Sequence, residues 1–221
     1  PDVILLSLQV SGMQSIELGV SDKDVLEQYN LVWIITDYDI DVVRLPQFAE
    51  EITIETKALT YNRLFCYRRF TIYDEAGQEI IHMVATFVLM DRESRKVHPV
   101  EPEIVAPYQS EFSKKLLRGP KYTELEDAIS KDYHVRFYDL DMNCHVNNSK
   151  YLDWVFEVMG ADFLTNHIPK KINLKYVKEV RPGGMITSSY ELNQLESNHQ
   201  VTSDGDINAQ AKITWQKINK D

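Results

Sequence analysis

The 221-residue sequence holds only two cysteines, Cys66 and Cys144, and no C-x-x-C pair. That excludes a disulfide framework and a cysteine-built zinc ribbon, and makes a reducing compartment, the cytoplasm, the simplest expectation. Cations are also in deficit. Lys and Arg number 24 against 34 Asp and Glu, a formal net charge of −10. Phosphate contacts need a surplus of Lys and Arg, so no nucleic-acid partner is expected. No apolar run approaches the ~18 residues of a membrane helix, and no membrane association is expected. The longest run, about Val84–Met90, is interrupted by Thr86 and reads as a buried strand. There is no G-x-S-x-G elbow, Walker A loop, Rossmann glycine fingerprint or H-E-x-x-H.

What remains is an ordinary globular composition, 43% hydrophobic and 26% charged, long enough for one large domain or two small ones. The segment Asp2–Met13 is apolar nearly all round and predicts a buried helix. Strand patterns follow at Leu31–Ile40, around Ile52–Ala58, at Leu64–Tyr73 and at Glu79–Met90. Asp74–Gln78 has the residues of a hairpin loop. Four prolines, Pro99, Pro102, Pro107 and Pro120, then punctuate a stretch of alternating charge that reads as a linker.

The order then repeats. His134–Tyr138 reads as a strand and Asn148–Met159 as a helix, with Asn147 or Asn148 as its cap and Gly160 as its end. Strands are predicted at Lys171–Lys178 and Met185–Leu192. Asp204-Gly205 marks a tight turn before the strict alternation of Ile207, Ala209, Ala211, Ile213 and Trp215. Pro46 and Pro182, 136 positions apart, each follow an Arg shortly before a strand. An internal duplication explains this economically. The expected architecture is α+β, a central helix wrapped by an antiparallel sheet in each half. The halves are residues 1–99 and 129–221, with 100–128 as linker. The first half starts directly in its helix, so one further strand, on roughly 10–20 additional residues, is expected upstream of Pro1.

The densest polar cluster is Asp139–Asn148, between a strand and a helix start. Asp141, Asn143 and His145 put a carboxylate, an amide and an imidazole on one short loop. The helix start beside them, Val146, Asn147 and Asn148, offers backbone N–H groups to a developing oxyanion. Asn147 and Asn148 also read simply as caps. A calcium loop fails, because Cys144 stands where Gly is needed and Lys150 where Glu is needed. A zinc site lacks a second His or Cys at ligand spacing, so no metal and no cofactor are expected. Cys144 reads as a bystander, and His82, His98, His134, His167 and His199 as ordinary strand or surface residues.

The run Asp141–Trp154 resembles the signature D-x-N-x-H-V-N-N-x-K-Y-x-x-W of acyl-acyl-carrier-protein thioesterases. Tyr176-Val177-Lys178-Glu179 resembles that family's second motif, in which a Glu follows a Tyr and basic residues. The resemblance implies a tandem hotdog fold over nearly the whole chain and catalytic roles for Asp141, Asn143, His145 and Glu179. Plant members carry a Cys after that Glu. Here the position is Val180, which cannot attack a carbonyl, so activated water is left as the nucleophile.

The chemistry is consistent with water. Thiol pKa values near ~8.5 make a thiolate a good leaving group. The enzyme must supply a base, either Asp141 or Glu179, and charge stabilisation for the oxyanion. The implied substrate is a fatty acyl chain on acyl carrier protein. Acyl-CoA hydrolysis and a non-enzymatic acyl-thioester-binding module are the alternatives. Lys114, Lys115, Arg118 and Lys121 form a basic cluster that could meet an acidic carrier or the phosphates of CoA, or read simply as a solvated linker face, on a chain expected to be a monomer or homodimer.

Overall fold

The computed structural model describes residues 1–141 and 144–218. The chain divides into two compact units. One comprises Val3–Ile40 and Pro46–Arg118; the other comprises Pro1–Asp2, Asp41–Leu45 and Gly119–Asp221.

The N-terminal unit contains α1 (Asp2–Glu17), α2 (Asp22–Tyr29), β1 (Leu31–Val42), β2 (Thr53–Tyr61), β3 (Cys66–Tyr73), β4 (Glu79–Asp91) and β5 (Val97–His98). Then come α3 (Pro102–Val105) and β6 (Glu111–Phe112). Its sheet order is β6-β2-β3-β4-β1, with β5 paired to β4. Ser21 starts α2 with a capping box, its hydroxyl accepting from the Asp24 amide and the Asp24 carboxylate accepting from the Ser21 amide. The core is built by Tyr38, Tyr67, Phe70, Ile72, Met83 and Leu89, each at most 2% exposed. Full burial of one such side chain is worth roughly 1.5–3 kcal/mol.

Helix α1 departs from expectation. It buries only Ile4, Ser7 and Ser15, while Leu6, Met13 and Ile16 are exposed. Apolar residues spread round a whole helix cannot all face one sheet, and here small Ser side chains take inward positions. Arg68 of β3 ties the helix down, donating to Gln14 Oε1 at 2.7 Å and to Thr56 Oγ1 at 2.9 Å.

The C-terminal unit contains β7 (Ile129–His134), α4 (Asn148–Glu157), α5 (Ala161–Leu164), β8 (His167–Tyr176), β9 (Met185–Asn193), β10 (Glu196–Ser203) and β11 (Asp206–Lys217). The sheet order is β8-β11-β10-β9-β7. The strand expected at His134–Tyr138 lies earlier, at β7. Phe137–Asp139 is a 3₁₀ turn instead, because the Asp139 carboxylate folds back to accept the Arg136 amide at 2.7 Å. Helix α4 lies against the sheet: Ser188 Oγ donates to the Trp154 carbonyl at 3.0 Å, and Phe156 meets Trp215 edge to face.

The two units repeat one topology. Two helices precede four long strands in each, and the order β2-β3-β4-β1 recurs as β9-β10-β11-β8. Each is a hotdog unit, so the α+β, double-hotdog expectation holds. Beside β2, the parallel β6 occupies the place that β7 takes beside β9. Asp204 and Gly205 both have positive φ, 52° and 81°, as a two-residue type I′ hairpin between β10 and β11 requires.

His199 is a strand residue, one of the two places expected for it, but a buried one. It is 2% exposed on the inward face of β10. Trp215 Nε1–H donates to Ser197 Oγ at 2.7 Å, so the Ser197 hydrogen goes to His199 Nε2, also at 2.7 Å. Burial pushes the His199 pKa down to about 3. No single helix among the described residues is long and apolar enough to cross a membrane.

Candidate active site

The loop from Leu140 to Asn147 closes on itself. Leu140 and Val146 form an antiparallel bridge. The Asp141 amide donates to the His145 carbonyl at 2.7 Å, and the Asn147 amide to the Asp139 carbonyl at 2.8 Å. Asp139 is the anchor beneath. It is 1% exposed and accepts from the Arg136 side chain at 2.9 Å. Burial raises its pKa, but the Arg136 hydrogen bonds and charge outweigh it and hold the carboxyl below the ordinary carboxylate value.

Asp141 works inside this loop. Its Oδ1 accepts the His145 amide at 3.1 Å, and its carbonyl accepts the Cys144 amide at 3.0 Å. Cys144 turns the chain with φ 61° and is exposed. Asn143 lies outside the described residues. Asn147 caps α4, its Oδ1 accepting the Ser149 amide at 3.0 Å. Of the three helix-start amides expected to face an oxyanion, Asn147 is thus committed to Asp139. Among the described residues, those of Val146 and Asn148 have no such backbone partner.

Glu179 arrives from just past the end of β8, 34 residues after His145. Its Oε1 lies 3.9 Å from His145 Nδ1, and both side chains are about half exposed. A carboxylate, an imidazole and a helix start therefore share one solvent-accessible place. Val180 behind it is 3% exposed, and its amide donates to Tyr151 Oη at 3.1 Å. Lys178, beside Glu179, is paired with Asp206.

The basic cluster divides between the units. Lys114, Lys115 and Arg118 are exposed in the N-terminal unit, and Lys121 is exposed in the C-terminal one. Reading charge alone misses what adjoins Lys114. It edges a largely apolar cavity of about 270 Å³, lined with Arg63, Leu64, Phe65, Phe112 and Leu116 among others. The sequence signal was there in the exposed aromatic Phe112 and the pair Leu116-Leu117, set among the cations. The contact of the Tyr151 hydroxyl with the Glu179 segment is one that the sequence pattern does not mark.

Residues 1–108 match the acyl-ACP thioesterase N-terminal domain, and residues 122–217 match the acyl-ACP thioesterase C-terminal domain. The chain belongs to the acyl-ACP thioesterase family. Among relatives, the oleoyl-acyl carrier protein thioesterase 2 of Arabidopsis thaliana chloroplasts is 25% identical over 200 residues, 84% of this chain and 53% of the relative. The chain spans about half the length of the curated relatives it matches. A Lactobacillus plantarum structure assigned as an oleoyl thioesterase superposes with a TM-score of 0.93 at 32% identity, covering 99% of this chain and 88% of that one. The 12:0-ACP thioesterase of Umbellularia californica superposes with a TM-score of 0.85, covering 98% of this chain and 89% of that one; at 20% identity this is a likeness of fold.

Proposed function

We propose that this chain hydrolyses the thioester linking a fatty acyl chain to acyl carrier protein, releasing the free fatty acid and the carrier thiol. The observation that carries the reading is the approach of Glu179 to His145, 3.9 Å, beside the start of α4 and within the family's signature loop. The names of the relatives support the substrate class.

In this reading Glu179 takes a proton from water, whose oxygen attacks the acyl carbonyl carbon. The negative charge moves to the carbonyl oxygen, where the Val146 and Asn148 amides and the positive end of α4 stabilise it. Collapse expels the thiolate, and the proton held by Glu179 returns to it. His145 orients the carboxylate and the water. Asp141 shapes the loop that presents His145, since its carboxylate is engaged by the His145 amide. Of the two carboxylates, Glu179 is the base. The reaction needs neither a metal nor a cofactor.

Lys114, Lys115 and Arg118 dock the carrier, an acidic partner for a local basic face on an acidic chain, and Lys121 adds to the positive charge of the same stretch. The apolar cavity beside Lys114 would take an apolar side chain of that partner. The free cysteines Cys66 and Cys144 accord with the cytoplasm. Turnover of one acyl chain on acyl carrier protein and on CoA, followed by thiol release, tests the reading. Faster release from the carrier protein supports it. Equal or preferred turnover of the CoA ester would make the chain an acyl-CoA thioesterase, and binding without release an acyl-thioester-binding module.

A further inference from the structure

We infer that Asn208 is a positioning residue for Glu179, and that the bulge it makes in β11 fixes the backbone carrying the reacting carboxylate. This rests on the reading that Glu179 activates water.

The register shows the bulge. Val201 of β10 pairs with Ala209, and the next residue, Thr202, pairs with Ile207. Asn208 is the extra residue, with no partner across β10. An extra residue bends its strand and re-aims a side chain. Here the two neighbours Asn208 and Ala209 are both buried, at 1% and 0% exposed, which a regular strand of alternating faces would not give.

On the other side of β11, pairing with β8 ends at Ala209 opposite Tyr176. Asn208 takes over where that ladder stops. Its carbonyl accepts the Val177 amide at 2.8 Å and the Lys178 amide at 3.2 Å. Its Nδ2 donates to the Lys178 carbonyl at 3.2 Å and to the Glu179 carbonyl at 3.3 Å. Ser203 Oγ donates to Asn208 Oδ1 at 2.8 Å. The amide orientation follows, since a carbonyl oxygen can only accept: Oδ1 faces the Ser203 hydroxyl and both Nδ2 hydrogens face the Glu179 segment.

One buried residue therefore makes four hydrogen bonds to three consecutive residues ending at Glu179. They hold a bend at Lys178, just past the end of β8. The Glu179 side chain is half exposed, and these bonds hold the backbone that carries it toward His145. A displacement of ~1 Å between reacting groups can cost up to ~10²-fold in rate.

The test is a double-mutant series on the full chain with acyl carrier protein thioester as substrate. Asn208→Ala should lower kcat by about 10–100-fold with KM within about twofold. Ser203→Ala, which frees only the anchor of the amide, should lower kcat by a few-fold and covers the case that Asn208→Ala does not fold. In a Glu179→Gln background neither change should lower the residual rate further, because the group being positioned is gone. A purely structural role would reduce both backgrounds alike. Asn208→Ala and Ser203→Ala with parental kcat, or with the same loss in the Glu179→Gln background, would overturn the inference while Glu179→Gln remained inactive. Parental kcat in Glu179→Gln itself would remove the water-activation reading, and this inference with it.

Discussion

The Val180 amide donates a hydrogen bond to the Tyr151 hydroxyl, 3.1 Å away, and so joins the helix of the signature loop to the residue after Glu179. Tyr151 is 3% exposed, and burial pushes its pKa up to about 12, so the phenol stays neutral at ordinary pH. Tyr151→Phe keeps the ring contacts with Trp154 and Tyr176 but strands the buried Val180 amide. The expected cost is about 1–3 kcal/mol of stability. A several-fold drop in kcat should accompany it. Denaturant unfolding and steady-state kinetics on the same preparation would check both, and unchanged stability would mean the amide finds another partner.

The two site carboxylates should respond unequally. Glu179→Gln removes the base and should lower kcat by ~10²–10⁴-fold. Asp141→Asn retains an oxygen that can accept the His145 amide, so a smaller loss is expected. Circular dichroism would verify that both variants are folded. A larger loss in Asp141→Asn than in Glu179→Gln would transfer the role of base to Asp141.

Reversing charge at Lys114, Lys115 and Arg118 together should raise KM for the carrier-bound substrate and leave kcat near its parental value. The difference should shrink as salt rises, since screening acts over about 10 Å at 0.1 M. A small acyl thioester without the carrier should show no change. Identical KM values for variant and parent at low salt would return these residues to the role of solvated surface.

Acid should destabilise the chain through His199. Its folded pKa of about 3 lies below the ordinary 6.5, so between those values the unfolded chain binds the extra proton. Stability from this residue is present above pH ~6.5 and is lost as pH falls towards 3. His199→Gln should flatten that limb, so the parent should lose more stability than the variant between pH 7 and pH 5. Denaturation midpoints at the two pH values measure it, and equal losses would show that other groups govern the acid limb.

Local chemistry made much of the chain legible before its structure. The cap at Asn147, one of two candidates, the Asp204-Gly205 turn and the inward row from Ala209 to Trp215 depend on neighbours a few residues away and are found where expected, while Ile207, expected in that row, falls out of it at the bulge. The repeat of helices and strands was readable for the same reason, because periodicity of 3.6 or 2 is written in adjacent positions. Helix α1 was harder, since apolar residues all round give no face to choose.

Other features required the tertiary structure, because they join groups distant in sequence. Apart from the family resemblance of Tyr176–Glu179, nothing local marks Glu179 among Lys175, Lys178 and Arg181, and only the path of β8 brings it 3.9 Å from His145. His199 looks like any polar strand residue until Trp215 and Ser197 supply its buried partner. Asn208 sits in an alternating strand at a position that should face outward. A one-residue shift in register turns it inward, and that shift is decided by pairing with β10 and by the Lys178 and Glu179 carbonyls that accept from its Nδ2, neither of which appears in the residues around it.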